Sequence, residues 1–307
     1  MIKEIILTGG SGLLGTQLTK TLVDNNYQVS IITRDVNSAK KKNPFASKYI
    51  SWNYQDYEKL RKELAGKHAV IHLAGANLYG KRWIKNYKKI LYDSRIESTK
   101  NLVNVMQALN EKPAAFICAS GINYYGDSGE KILTEDCNNG NDFLAKLTFH
   151  WESESSKIES SGIRWVSIRN GVVLSKEGGA LKVMLPIFKS FVGGALGNGR
   201  QWFPWIHIED TVSIFKFAIE NENIKGPVNA VSPNPVRMNE FAKTLGKVLN
   251  RPSVFKVPSM ALRIVLGEFG KYITASLRAT PQKLLDNGFE FQNPDLQTAL
   301  EKLIKEN

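Results

Sequence analysis

Three glycines near the start of the 307-residue chain, Gly9, Gly12 and Gly15, have the spacing that holds a phosphate chain. They lie in the run Thr8-Gly9-Gly10-Ser11-Gly12-Leu13-Leu14-Gly15, which follows an apolar stretch and opens an amphipathic one. A dinucleotide-binding loop needs that strand–turn–helix context. Gly9 allows the tight turn out of the strand. Gly12, without a Cβ, lets the backbone approach a pyrophosphate, and Gly15 lets the helix pack close to the sheet. The first N–H groups and the positive end of the helix then face the phosphates. Gly9, Gly10, Ser11, Gly12, Leu13, Leu14 and Gly15 are therefore the candidate pyrophosphate-binding residues.

The end of the second apolar stretch selects among dinucleotides. A site for NAD carries an acidic residue about 20 residues on, bonded to the ribose 2′-hydroxyl. Here the stretch ends Ile31-Ile32-Thr33-Arg34. A hydroxyl and a planar, multi-donor guanidinium suit a 2′-phosphate instead. Lys40–Lys42 add positive field, while Asp35, one position beyond Arg34, argues the other way. NADP is the expected cofactor, with Thr33 and Arg34 at its phosphorylated ribose. No metal site is expected. His207 stands beside Glu209 and Asp210, but that stretch reads as a strand entering a helix, with Asp210 as N-cap. Trp202, Phe203 and Trp205, with Arg200 and Gln201, read equally as a substrate-pocket wall or as a packed loop.

To bring these residues together the chain must alternate strands and helices. Strands are expected at Met1–Thr8, Tyr27–Thr33, Tyr49–Trp52, His68–Leu73, Ala115–Ser120 and Arg164–Arg169. Several are near-continuous apolar runs of the kind buried on both faces. Helices are expected at Leu13–Asp24, Asp56–Leu64, Asn86–Asn110 and Asp142–Ser160. In the longest, Ile90, Ile96, Leu102 and Met106 are the expected core positions. This order predicts an α/β fold with a Rossmann-type doubly wound parallel sheet. After about Gly178, glycine-rich turns take over, followed by a strand at Val228–Val231, a helix at Met238–Leu249 and a proline-punctuated tail. The expected organisation is a cofactor-binding domain over 1–178, joined by elements from 205–232. A smaller C-terminal substrate lobe covers 179–307, with a distinct tail at 251–300.

Composition limits the function classes. With 42% apolar and 23% charged residues, the chain is globular and not disordered. No stretch reaches the roughly 20 apolar residues that span a bilayer. The first apolar run, Ile5–Leu7, is too short for a secretory signal. Cys118 and Cys137 make neither a disulfide framework nor a CxxC pair, which fits a reduced, cytoplasmic compartment. Lys and Arg number 41 against 29 Asp and Glu, a net charge of +12. That excess alone admits nucleic acid, an anionic membrane surface or an anionic ligand. No nucleic-acid motif accompanies it. A small molecule is the expected partner, with neither nucleic acid nor membrane.

With the glycine loop, His72-Leu73-Ala74-Gly75 and Ser120 followed by Tyr124-Tyr125-Gly126 resemble the extended short-chain dehydrogenase/reductases. Lys81-Arg82-Trp83, Asp93-Ser94-Arg95-Ile96, Arg169-Asn170-Gly171-Val172-Val173-Leu174 and Pro281-Gln282-Lys283-Leu284 narrow the likeness. They resemble the atypical NAD(P)-dependent epimerase family with a C-terminal domain of unknown function, along almost the whole chain. The resemblance implies an oxidoreductase or epimerase acting on an unknown small, sugar-like molecule, and a homodimer through two helices. It implies that Leu73, Ala74 and Gly75 let the cofactor cross a strand end. Arg95 would reach the cofactor from a helix, and Asn170–Val173, with Val173 among the binding residues, would pass near the nicotinamide. Ser120 would be the catalytic serine. The departure concerns the Tyr, four residues before a Lys, that moves a proton to or from the substrate oxygen in such enzymes. Asp142-Phe143-Leu144-Ala145-Lys146 has no Tyr, and the register set by Glu152 puts Leu144 and Thr148 at the two positions. Tyr124 or Tyr125 is then either the replacement acid or a packing residue. Two readings follow: an NADP-dependent enzyme, or a cofactor-binding regulatory protein with little turnover.

Overall fold

The computed structural model describes residues 3–52 and 56–305. Seven strands form the central sheet: β1 Lys3–Thr8, β2 Tyr27–Thr33, β3 Lys48–Ser51, β4 Ala69–His72, β5 Ala115–Gly121, β6 Arg164–Asn170 and β7 Gly226–Ala230. Their order is β7-β6-β5-β4-β1-β2-β3, and every pairing is parallel. The chain builds outward from β1 to β3, then returns to the other side of β1 and continues from β4 to β7. The direction of growth reverses between β1 and β4, where a doubly wound sheet opens a crevice at its carboxyl ends.

Alternation along each strand supplies two apolar faces. Ile5, Leu7, Ile31 and Ile71 pack against α1 (Leu13–Asp24) and residues 212–219, while Ile6, Ile32, Val70 and Phe116 pack against Leu60, Leu64, Leu102 and Met106. The expected Rossmann-type fold is the one observed. Three further helices follow α1 in the first half: α2 Val36–Lys42, α3 Tyr57–Leu64 and α4 Lys85–Gln107. Then come α5 Phe143–Ser156, α6 Gly179–Lys189, α7 Ile208–Glu220 and α8 Met238–Leu249.

Several boundaries differ from expectation for physical reasons. Met1 and Ile2 lie outside the described residues, so β1 is described from Lys3. α2 occurs where no helix is expected. Its residues bury only Ala39, and it is held by a cap in which Asp35 Oδ1 accepts the Ser38 N–H at 3.0 Å. α5 stops at Ser156, and a tighter 3₁₀ turn, Lys157–Ser161, completes the expected span. Ile90 is not core: it is 50% exposed. α7 is capped by His207, whose Nδ1 accepts the Glu209 N–H at 3.2 Å. Asp210 instead accepts the N–H groups of Gln292 (2.8 Å) and Asn293 (3.0 Å).

The last quarter of the chain adds α9 Ser259–Leu266, α10 Phe269–Ile273, α11 Gln282–Asp286 and α12 Leu296–Lys305. α12 joins α6 and α8 in a third apolar cluster, and Leu284 and Phe289 enter the core beside the sheet. Phe269 and Tyr272 pack on Trp83 with ring centroids 5.1 and 5.2 Å away. No helix among the described residues is long and apolar enough to cross a membrane.

Candidate functional site

A cleft of about 660 Å³ opens at the switch point. Gly9, Gly10, Ser11 and Gly12 enter it after β1, Thr33 and Arg34 at the end of β2, and Leu73, Ala74 and Gly75 after β4. α4 contributes a polar wall that includes Asp93, Ser94, Glu97 and Asn101. Sequence reasoning assigns α4 core positions and, by resemblance, Arg95, but not this polar wall. The spacing of Asp93, Glu97 and Asn101 at i, i+4 and i+8 is the signal that marks this second face.

The glycine loop fits a phosphate chain, and its glycines have separable reasons. Gly9 has φ +73°, and a Cβ there would lie 2.7 Å from the Leu73 carbonyl carbon. A Cβ on Gly10 would press on Ile31 at 2.7 Å, and one on Gly15 would come within 2.5 Å of the Gly9 oxygen. Protein packing alone demands these three. Gly12 is different: a Cβ there would meet nothing nearer than the Gly9 oxygen at 3.4 Å. The space that its missing side chain leaves is open to a ligand. Gly12 is also the N-cap of α1, with no side chain capping the helix and no acidic residue in the first turn. Its early N–H groups, including those of Leu13 and Leu14, thus remain to bind an anion. The side chains of Leu13 and Leu14 face away and pack on the apolar clusters.

The cradle has a support that sequence reasoning misses. Asn43 is fully buried and donates to the carbonyl oxygen of Gly10 at 2.8 Å and to Thr19 Oγ1 at 2.9 Å. It ties the loop to α1 from the far end of α2. A lone Asn after a lysine run carries no sequence signal for that role.

At the β2 end of the cleft, Arg34 is exposed, lines the cleft and forms no ion pair among the described residues. Asp35, the competing acidic residue, is occupied as the α2 cap. Lys40–Lys42 do not line the cleft. They sit in the last turn of α2, where positive charge complements the helix dipole.

His72 forms the floor between β1 and β4. Thr8 Oγ1 lies 2.6 Å from its Nδ1, and Ser98 Oγ lies 3.2 Å from its Nε2. Burial, and then the nearby Arg95 charge, push its pKa down to about 3, so the imidazole is neutral. Arg95 does not line the cleft. It donates to the carbonyls of Leu91 and Ala76, both at 3.1 Å, and stacks 5.3 Å from the Trp151 ring. Burial draws its pKa down to about 10. A Cβ on Gly75 would lie 3.0 Å from Arg95 Cζ, so Arg95 backs the Gly75 wall from behind. Val173 packs between two apolar clusters and is paired with Ile206.

Ser120 and Tyr124 belong to a separate network at the ends of β5 and β6. Ser120 Oγ donates to Glu152 Oε1 at 2.7 Å. Arg169 grips the same carboxylate with two bonds, Nε to Oε1 at 2.9 Å and Nη2 to Oε2 at 2.7 Å. Arg169 Nη1 donates to the Tyr125 hydroxyl at 2.8 Å, and that hydroxyl donates to Asn229 Oδ1 at 2.7 Å. Burial alone would lower the Arg169 pKa, but the Glu152 bonds and charge, with Tyr125, raise it. Tyr124 lies with its ring 3.5 Å from Arg169 Cζ. Burial raises its pKa and outweighs the opposing pull of Arg169, so the phenol keeps its proton. Leu144 and Thr148 are buried, and Lys146 is exposed. Trp202, Phe203 and Trp205 do not share a pocket wall. Trp205 is core, Phe203 packs on Phe241 at 4.6 Å, and Trp202 lies between Arg237 and Arg278.

Residues 5–230 match the model of the NAD dependent epimerase/dehydratase family, and residues 257–303 match a domain of unknown function, DUF1731. The epimerase family protein YfhF of Bacillus subtilis is 39% identical over 302 residues, covering 98% of each chain. The epimerase family protein SH2119 of Staphylococcus haemolyticus is 37% identical over 304 residues, covering 99% of each. The fold is similar to human epimerase family protein SDR39U1, crystallised with NADPH, at TM-score 0.89 and 29% identity, covering 99% of this chain and 100% of that one. A nucleoside-diphosphate sugar epimerase from Corynebacterium glutamicum matches at TM-score 0.77 and 30% identity, over 99% of this chain and 58% of that one.

Proposed function

The chain belongs to the NAD dependent epimerase/dehydratase family, and from that premise we propose an NADP(H)-binding protein of oxidoreductase or epimerase type that acts on a small, sugar-like molecule. The observation that carries the choice of cofactor is Arg34. It is unpaired among the described residues and lines the cleft at the end of β2, while the neighbouring carboxylate is committed to a helix cap. A planar, permanently charged guanidinium is suited to a 2′-phosphate. The NADPH bound by the human relative supports the same reading. Calorimetric titration tests it: NADPH should bind more tightly than NADH, and Arg34→Ala should erase the difference. Tighter NADH binding by the unaltered chain would overturn it.

When bound, the nicotinamide supplies a hydride donor or acceptor. The chain's own part begins with the N–H groups of Leu13 and Leu14 holding the pyrophosphate, while the Gly12 N–H closes the turn onto the Gly9 carbonyl at 3.1 Å. Leu73, Ala74 and Gly75 leave room beside β4. Ser120 and Tyr124 are the assigned proton-handling pair: Tyr124 holds a proton to donate, and Glu152 fixes the Ser120 hydroxyl. A specific observation favours a second reading, cofactor binding with little turnover. Leu144 and Thr148 fill the Tyr and Lys positions, and the Ser120 hydroxyl is already spent on Glu152. NADPH absorbance across carbonyl compounds and nucleotide sugars separates the two. Turnover that falls in Tyr124→Phe while cofactor affinity holds favours the enzyme; no turnover on any of them favours the binding protein.

A further inference from the structure

The basic excess is concentrated in two stretches. Residues 178–208 contain three basic residues and no acidic one, and residues 241–267 contain five and none. The same stretches hold nine of the seventeen large apolar side chains exposed among the described residues. Several of these adjoin one another. Val183, Ile187 and Phe191 follow one i, i+4 row along and just past α6. Phe191 adopts the left-handed conformation at φ +66°, which is strained for an aromatic residue, yet the residue is 54% exposed. The Arg251 guanidinium lies 4.5 Å from that ring. Short parallel strands, Gly194–Leu196 and Phe255–Val257, pair Gly194 with Phe255 and so bring Val192, Val254 and Phe255 alongside. Next to them is a groove of about 410 Å³ walled by Asn239, Lys243, Ser253 and Lys256. Neither lysine forms an ion pair among the described residues.

We propose that this face docks on an anionic lipid bilayer, with Phe191, Val192, Val254 and Phe255 entering the interface and Lys243 and Lys256 meeting headgroup phosphates. Exposed aliphatic and aromatic side chains surrounded by cations of one sign are what such a surface selects. An acidic protein could complement the cations alone, but the aliphatic and aromatic side chains exposed among them match a lipid interface, which takes up both. A second copy would bring two equally basic patches into one interface, where their like charges repel. A duplex would use the lysines but leave the apolar side chains in water. The surface is distinct from the cofactor cleft, with which it shares no residue.

Flotation of the full chain with vesicles tests this. It should rise with equimolar phosphatidylcholine and phosphatidylglycerol, remain below with phosphatidylcholine alone, and detach as salt is raised. Lys243→Glu with Lys256→Glu, and separately Val254→Ser with Phe255→Ser, should each weaken partitioning by about ten-fold or more. NADPH affinity should be unchanged in both, which verifies folding; the pairs are independent, so misfolding of one leaves the other decisive. Equal binding to both vesicles, binding unaffected by both pairs, or binding to soluble polyglutamate with none to vesicles overturns the proposal.

Discussion

Gly12 and Gly15 belong to one motif but answer to different neighbours, and a single added methyl separates them. At Gly15 it would collide with the backbone of Gly9 and Gly10, so Gly15→Ala should cost about 1–3 kcal/mol of stability. At Gly12 the protein leaves room, so Gly12→Ala should change stability by less than about 1 kcal/mol. It should nonetheless weaken NADPH binding by about ten-fold or more, because the methyl occupies space near the helix N-terminus. Urea midpoints and calorimetry on both variants check the contrast; equal effects on folding would refute it. His72 makes a second prediction at this scale. Its folded pKa, about 3, is below the unfolded value of 6.5. Between those values the unfolded chain takes up a proton that the folded chain refuses. Stability is therefore full above pH 6.5 and falls as the pH drops, by about 1.4 kcal/mol per pH unit. His207, lowered to about 4 chiefly by burial, adds to the slope over its own range. His72→Asn should flatten but not abolish the dependence in urea unfolding between pH 7 and pH 5. An unchanged slope would place the responsible group elsewhere.

At the scale of elements, what was legible depended on whether one element explained its own sequence. α1 and β2 match their expected limits because each combines a periodic apolar pattern with a stop: Asn25-Asn26 after α1 and Arg34 after β2. α2 was illegible because only one of its seven residues, Ala39, is fully buried, and it owes its start to one Asp35 hydrogen bond. Its importance lies in the residue that it delivers to the loop. Asn43, at its C-terminal end, meets Gly10 and Thr19, residues separated from it by 33 and 24 positions. No local pattern encodes such a partnership. The same distance hid the Ser120–Glu152–Arg169 network, although each of its residues could be read singly. Asn43→Ala should leave the Gly10 carbonyl with only the long Thr16 Oγ1 bond at 3.4 Å and lower stability by about 1–3 kcal/mol. It should also weaken NADPH binding while leaving the NADPH-to-NADH preference in place, since Arg34 is untouched. Loss of the preference with retained affinity would contradict the role given to the junction.

For the whole molecule, the question is whether residues after about 250 are an appendage or part of the fold. The contacts argue for a single cooperative unit. Asp210 at the start of α7 accepts backbone N–H groups from Gln292 and Asn293, and Lys302 pairs with Glu209 one position earlier. Leu284 and Phe289 occupy the same apolar cluster as β1 and β7. Leu296, Ala299, Leu300 and Leu303 close the cluster that holds Trp205 and Phe241. Phe269 and Tyr272 cover Trp83, which leads into α4 and so into the polar wall of the cleft. The tail thus has no apolar core of its own to retain, and the sheet half would lose cover at three places without it. A chain ended after residue 256 should not merely lose substrate chemistry. It should expose the Leu245 and Val228 surroundings, bind the dye ANS and fail to bind NADPH with native affinity. Scanning calorimetry of the full chain should show one transition, with ΔH from the transition shape equal to the calorimetric value. Two separated transitions, or a truncated chain that melts cooperatively and binds NADPH as the full one does, would make the tail an independent domain.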